Sequence, residues 1–217
     1  MTPQDVGRFV MRRVLPFQER KRRWALRAAL EEVATQTDNS RTRGFEASTV
    51  VLNLALFLLI AERDIQAAKI DALTHPDRWH RSLSARVILL TVHGRDLDKV
   101  AGQNLRQALE IMKAPDAMKV AATDALRAIR KVQKKAESEF EFLRNGTIAH
   151  RDPDGIAQYK AITQLDELKV LKLAAEFYTA ADAFISLLPT IILQSSKLPS
   201  LLAQFSKREA KRASARI

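Results

Sequence analysis

The sequence predicts an all-α protein, and three observations carry that prediction. Glycine and proline number only 6 and 7 among 217 residues, while alanine and leucine abound, a composition that favours helix. Long stretches place apolar residues three and four positions apart, the repeat of an amphipathic helix. No stretch sustains the period-two alternation of β-branched residues that marks a half-buried strand. With 47% hydrophobic and 28% charged residues, the chain has an ordinary globular balance and enough length for a real core.

Taken in order, Thr2-Pro3 suits a helix start, and Pro16 is expected to interrupt that helix. A second helical segment runs from about Phe17 to Ala34, with Leu26, Ala29, Leu30 and Val33 inward and Arg20, Arg23 and Arg27 forming a basic stripe. Trp24 lies among these cations; it reads as an anchor against the bundle, with base stacking as the alternative. Thr35 to Gly44 is polar and reads as a loop. Ser48 is expected to cap the next helix, which runs to about Leu73 and whose first half is apolar all round. Asn53 within it reads as a satisfied core amide.

Thr74-His75-Pro76-Asp77 then starts a helix that carries Trp79, Leu83, Arg86, Val87 and Leu90 on one face and ends at His93-Gly94. Asp96 or Asp98 restarts a helix through Met112, with Val100, Ala101, Leu105 and Leu109 inward, and Pro115 closes it. The longest clean pattern follows, from Asp116 to Leu143, stepping through Ala122, Ala125, Ile129, Val132, Ala136, Phe140 and Leu143. Its outer face bears Arg127, Arg130, Lys131, Lys134 and Lys135. Glu137 and Glu141 read as helix-surface partners of nearby lysines, not as a carboxylate pair.

Asp152-Pro153-Asp154-Gly155 opens like a calcium loop but lacks the remaining ligands, so it reads as a turn. Thr163-x-x-Asp166 is expected to cap a helix to about Leu188, with Leu168, Leu171, Ala174, Phe177, Ala181, Phe184 and Leu188 inward. Pro189 and Pro199 break the remainder into short pieces. The tail from Lys207 is too charged to add core.

Charge narrows the partners. Residues 8–27 hold eight Lys and Arg against Glu19, a net +7, and residues 205–217 hold five against Glu209, a net +4. Those two ends account for the whole net charge of +11, so the rest of the chain is neutral. Two basic ends on a neutral bundle favour an anionic partner, usually nucleic acid and sometimes an anionic membrane surface, with a solubilising tail and a solvated helix face as the alternative. The candidate contacts are Arg20, Arg23, Arg27, Arg127, Arg130, Lys134, Arg151, Lys207, Arg208, Lys211 and Arg212. No membrane partner is expected: the greasiest run read here, Val50 to Ala61, is too short to span a bilayer.

The absence of cysteine excludes disulfides and thiolate zinc sites and fits a reducing compartment. The N-terminal residues lack the apolar core of a secretory signal, so a cytoplasmic location is expected. The four histidines are scattered in sequence, no P-loop, GxGxxG, HExxH, GxSxG or kinase motif occurs, and neither metal nor cofactor is expected.

One stretch crowds a guanidinium, an amide and an imidazole at a helix end: Arg144-Asn145-Gly146-Thr147-Ile148-Ala149-His150-Arg151-Asp152. A bare Arg-x4–6-His arises about once by chance among 22 Arg and 4 His, and Arg86–His93 is such a chance pair inside an amphipathic helix. Arg144–His150 differs in having Asn145 beside the Arg and Gly146 to loosen the helix. A neutral His is suited to removing the 2′-OH proton of RNA, and an Arg fork to holding phosphate oxygens. In an unbroken helix the two would stand about 120° apart around the axis and about 9 Å along it. A broken helix or a second chain is therefore required.

The pattern Arg144-Asn145-x4-His150 resembles the motif of the HEPN superfamily, and its context looks most like the abortive-infection branch. That resemblance implies an antiparallel helical bundle, placed over residues 46–190; the chain reading adds a basic helical extension (1–35) before it and a short helix and basic tail (191–217) after it. The resemblance also implies a homodimer through the motif face and, for active members, a metal-independent endoribonuclease with Arg144, Asn145 and His150 as the catalytic set, in a bacterial defence or toxin–antitoxin type system with a neutralising antitoxin partner. The alternative is a catalytically inactive dimeric scaffold or nucleic-acid-binding regulator. Some members carry a Tyr two residues after the His that a partner enzyme modifies; here that slot is Asp152.

Overall fold

Residues 3–93, 97–144 and 153–214 are described in the computed structural model. Their three- and four-residue apolar repeats become α1 (Pro3–Gln18), α2 (Arg20–Thr42), α3 (Glu46–Thr74), α4 (Arg78–His93), α5 (Leu97–Val100), α6 (Gly102–Ile111), α7 (Asp116–Arg144), α8 (Gly155–Thr163), α9 (Glu167–Ile185), α10 (Leu188–Ser195) and α11 (Leu198–Ser214). No strand occurs among the described residues, so the protein is an all-α helical bundle.

Several helix ends differ from the sequence expectation for identifiable reasons. Helix α1 continues past Pro16, and the break falls at Glu19. Proline lacks the N–H for its own helical bond, yet the ladder resumes with Glu19 N–H donating to Leu15 C=O (2.9 Å) and Arg23 N–H to Glu19 C=O (2.9 Å). The stretch expected as a loop, Thr35 to Gly44, is helical as far as Thr42. Its hydroxyls bond back to carbonyls one turn earlier, Thr35 to Glu31 (2.8 Å) and Thr37 to Val33 (2.6 Å), which makes polar residues compatible with the helix. The stop comes at Gly44, whose φ of +72° places it in the left-handed region. Gly44 N–H reaches Arg41 C=O (3.0 Å) and Phe45 N–H reaches Ser40 C=O (2.9 Å), the paired bonds of a Schellman ending.

Caps also move. Ser48 lies inside α3, where its N–H and hydroxyl donate to Gln204 Oε1 (3.3 and 3.0 Å) instead of capping. Thr74 closes α3 with its hydroxyl on Ile70 C=O (2.7 Å), and Asp77 caps α4 by accepting from Trp79 N–H (3.2 Å) and His80 N–H (3.1 Å). Asp166, not Thr163, caps α9, accepting from Leu168 N–H (3.0 Å) and Lys169 N–H (3.2 Å), because α8 continues through Thr163. Pro189 and Pro199 stand in the first turns of α10 and α11, where a missing N–H costs nothing, so they start helices. The charged tail from Lys207, expected to add no core, is helical to Ser214.

The chain divides into two compact units. The first takes Met1–Arg27, Ala61–Arg95 and Arg130–Thr179, and buries Ile65, Ile88, Leu89, Leu173 and Phe177 below 2% exposure. The second takes Ala28–Ile60, Asp96–Ile129 and Ala180–Ile217, and buries Leu54, Leu58, Leu109, Met112 and Phe184 to the same degree. Within the second unit, Lys113 adopts a left-handed φ of 50° in the turn between α6 and α7. Gln194 Nε2 donates to the carbonyls of Met112 (3.1 Å) and Lys113 (2.9 Å), and Ser200 Oγ also donates to Met112 C=O. These buried amide and hydroxyl donors hold a turn whose loss would leave carbonyls unsatisfied, at about 1–3 kcal/mol each.

The inward stripe of α7 is as expected, from Ala122 and Ile129 at 0% exposure to Phe140 at 7%. That of α9 begins at Val170; Leu168, on the opposite side, is exposed. On α4 the face gathering Trp79, Leu83 and Val87 is the exposed one, while Ala85, Ile88, Leu89 and Val92 are buried and Arg86 with them. Apolar residues occupy both sides of that helix, so its period does not select the inner one. Asn53 is half-buried. Among the described residues, Glu167–Ser195 is long and apolar enough by length and composition to cross a membrane, with a mean hydropathy of 1.3 over an 18-residue window of which a third is buried; the stretch is split at residues 186–187, between α9 and α10.

Candidate nucleic-acid interface

The N-terminal arm, α1 with the first turns of α2, is held in the first unit by charge. Arg12 Nη2 lies 4.0 Å from Asp71 Oδ1. Glu19 Oε1 pairs with Lys69 Nζ at 2.9 Å, and its other oxygen accepts from Gln66 Nε2 at 3.4 Å. Arg22 donates twice to Glu62 Oε1, from Nε (3.2 Å) and Nη2 (2.8 Å), with its guanidinium 5.0 Å above the Tyr178 ring. Tyr178 OH donates to Glu62 C=O (3.2 Å). Arg23 Nη2 donates to Pro16 C=O (2.5 Å) beside the helix break.

Burial alone would raise the Glu19 carboxyl, but the Lys69 hydrogen bond and charge, the Arg22 charge and Gln66 together hold it below its ordinary value. Burial, with Glu62 adding to it, pushes the Tyr178 phenol well above its ordinary range. This cluster of two carboxylates and two cations balances its own charge. Arg22 and Lys69 are thus committed to holding the arm.

The expected RNA contacts divide between the units. In the first, Arg20, Arg27 and Lys134 are exposed, Arg130 is half-buried, and Arg23 is turned onto Pro16. In the second, Arg127 is exposed and paired with Asp124 (2.6 Å). Lys207 is exposed, whereas Arg208 pairs with Glu209 (3.0 Å), donates to Arg43 C=O (3.1 Å) and lies 4.6 Å from the Phe205 ring centroid. Lys211 and Arg212 belong to α11, with side chains outside the described residues.

Arg144 is the last residue of α7; its side chain, and all of Asn145, His150 and Arg151, lie outside the described residues. Both flanks of the motif are described. Before it, Phe140 and Leu143 are buried. After it, Asp154 caps α8 by accepting from Ile156 N–H (2.8 Å) and Ala157 N–H (3.2 Å). Helix α8 is tied to α4 by Ser82 Oγ donating to Ile162 C=O (3.0 Å), by Arg78 Nη2 donating to Thr163 C=O (2.7 Å) and by Trp79 against Tyr159 at 6.4 Å.

The chance pair behaves as a structural one. Arg86 is buried, which lowers its pKa, and donates to Ser82 C=O (3.4 Å). His93 Nε2 lies 4.0 Å from Glu137 Oε1, so that carboxylate faces a histidine where a lysine was expected. Seven helical steps, with six residues between, separate Arg86 from His93 by about 10 Å along the axis, too far to share one phosphate.

Two further clusters were not legible in the sequence. His75, Asp77 and His80 bring three ligand atoms within 4.8 Å of one another, and the two imidazoles stack at 4.0 Å. Both Asp77 oxygens already accept helix N–H groups, and Arg81 donates to the carbonyls of His75 (2.8 Å) and Pro76 (3.0 Å). The positive end of α4 adds to these in opposing a cation. In the second unit a cavity of about 200 Å³ is lined by Gln36, Ser40, Phe45, Met112, Ile191 and Ser195 among others. That is smaller than most small-molecule sites, about 300–1,000 Å³.

Compared with protein-family models, curated proteins and solved structures, the chain finds no match.

Proposed function

We propose that the chain is a HEPN-like endoribonuclease acting as a homodimer, within a bacterial defence or toxin–antitoxin type system. The observation that carries this reading is Arg144-Asn145-x4-His150 at the end of α7, between flanks that are each packed into the first unit. Neutral His150 takes the proton of a ribose 2′-OH, the oxygen attacks the adjacent phosphorus, and the bond to the 5′-oxygen breaks as that oxygen takes a proton from water, which His150 returns to the solvent. The Arg144 fork holds the nonbridging oxygens as they gain charge, and Asn145 orients the pair. The products are a 2′,3′-cyclic phosphate and a 5′-OH, and no redox partner or metal enters the balance. In keeping with the HEPN resemblance, two chains facing each other across a twofold axis bring two motifs together in the complete site.

The test is RNA cleavage by His150→Ala. Cleavage is expected to fall about 10²–10⁴-fold with RNA binding and helicity retained. Arg144→Lys is expected to restore little of what Arg144→Ala loses, because an ammonium lacks the planar fork. Activity is expected to persist in EDTA and to vanish on a substrate with 2′-deoxyribose at the scissile position. Cutting of that deoxy substrate at the same bond refutes the 2′-OH mechanism. An intact protein that cuts no RNA, and whose dimer dissociates on His150→Ala, marks the non-catalytic scaffold instead.

A further inference from the structure

The N-terminal arm is inverted relative to an ordinary surface helix. Its inner side carries charge pairs beside the half-buried Leu15 and buried Leu26: Arg12 faces Asp71, Glu19 faces Lys69 and Arg22 faces Glu62. Its outer side is apolar, with Val6, Phe9, Val10 and Val14 between 44% and 53% exposed, Phe17 at 77% and Trp24 at 73%. At about 100° per residue, the α1 members of this set cover an arc of about 140°, and Met11 widens it. We propose that this arm docks on an anionic lipid surface.

Three observations choose that occupant. First, cations stand within the apolar arc: at about 100° per residue Arg13 falls between Phe9 and Val6. Arg13, Arg20 and Lys21 are exposed, and the Arg13 guanidinium lies 4.7 Å from the Phe9 ring centroid, a long side chain laid over an apolar neighbour with its charged head outward. An exposed apolar face whose Arg and Lys heads reach outward past the apolar side chains suits the headgroup boundary of an anionic bilayer. Second, a nucleic acid would use only part of the surface. Phe9, Phe17 and Trp24 offer faces to bases, but the valines and Met11 cannot stack, whereas an acyl boundary accepts them all. Third, a second copy meets like charge. Arg13, Arg20 and Arg27 recur every seven residues, so two such arms laid together set arginines along one seam. The run Val50 to Ala61 is too short to span a bilayer, but a helix lying in the interface needs no span. This inference stands apart from RNA cleavage and does not depend on it.

The experiment is sedimentation of the full chain with vesicles rich in phosphatidylglycerol and with vesicles of phosphatidylcholine alone, alongside Trp24 fluorescence in a Trp79→Phe background. Binding to the anionic vesicles is expected to be about tenfold or more tighter, to weaken with salt, and to shift Trp24 emission to the blue. The double variant Val10→Ser, Phe17→Ser removes exposed side chains only and is expected to keep its helicity while losing about tenfold or more of vesicle affinity. Absence of anionic-vesicle binding overturns the proposal, as does binding indifferent to the double variant. If instead the variant loses RNA affinity, the arm is a nucleic-acid face; if it converts a dimer to a monomer, the arm is a face between copies.

Discussion

Helix α7 and the N-terminal arm share one three-and-four repeat of apolar residues but face opposite ways. In α7 the repeat is interior: Ala122, Ile129 and Ala136 are at most 1% exposed, while Arg127, Lys131 and Lys134 meet water. In the arm the repeat is exterior, and the charges are turned inward onto Asp71, Lys69 and Glu62. The difference teaches that periodicity reveals a face without revealing what covers it. A second set of partners decides that, here the carboxylates and lysine of the Ala61–Thr74 part of α3.

The largest effect is expected from emptying the α7 interior. Ile129→Ala removes a side chain at 0% exposure and is expected to cost about 2–5 kcal/mol, read as a lower urea midpoint with unchanged slope. A cost below about 1 kcal/mol breaks the comparison from the α7 side.

Next comes the charge that turns the arm. Glu19→Gln keeps the shape but removes the Lys69 ion pair, and is expected to cost about 1–2 kcal/mol near neutral pH. Glu19 has a depressed folded-state pKa, so its contribution is present above the ordinary value of 4.5 and is lost as pH falls through the lower folded value. Wild type and variant are therefore expected to converge in stability in the acid range. A gap that persists unchanged there shows the glutamate acting through packing and not through charge.

The smallest effect sharpens the comparison most. Phe17→Ala and Trp24→Ala delete large apolar side chains that are more than 70% exposed, and each is expected to change stability by no more than about 0.5 kcal/mol. The same truncation of the buried Phe140 is expected to cost about 3–5 kcal/mol. Equal costs at Phe17 and Phe140 mean that the arm's outer side is covered in solution.

These contrasts show what was legible in the sequence. The α7 stripe was readable because one side is uniformly apolar and the other uniformly charged. On α4, Trp79, Leu83 and Val87 on one side compete with Ile88, Leu89 and Val92 on the other, and only packing decides which is buried. Trp24 was placed inside because aromatic residues usually are; the ion pairs of Glu19 and Arg22, from 40 to 50 residues away in sequence, hold it outside. Thr35 and Thr37 read as loop residues because their hydroxyl bonds to the preceding turn exist only once the helix has formed. For the candidate site, sequence identified the residue types and their spacing, but the direction of Arg144 relative to His150 depends on the backbone dihedrals between them, which residue identity does not specify and which lie outside the described residues.

The bond from Ser48 to Gln204 spans 156 residues and carries a cost in time. During vectorial synthesis at roughly 5–20 residues per second, Ser48 waits about 8–30 s for its acceptor to be made. Until then Met112 C=O lacks Ser200 and Gln194, and Phe45 lacks the ring of Phe205 that meets it edge-on at 5.3 Å. Segments of the second unit that emerge early must therefore persist without their last partners, which makes them natural clients for a chaperone at the ribosome exit. Pausing translation upstream of Leu198 would lengthen that exposure, and the damage would appear as aggregation of nascent chains even though the finished protein is unchanged.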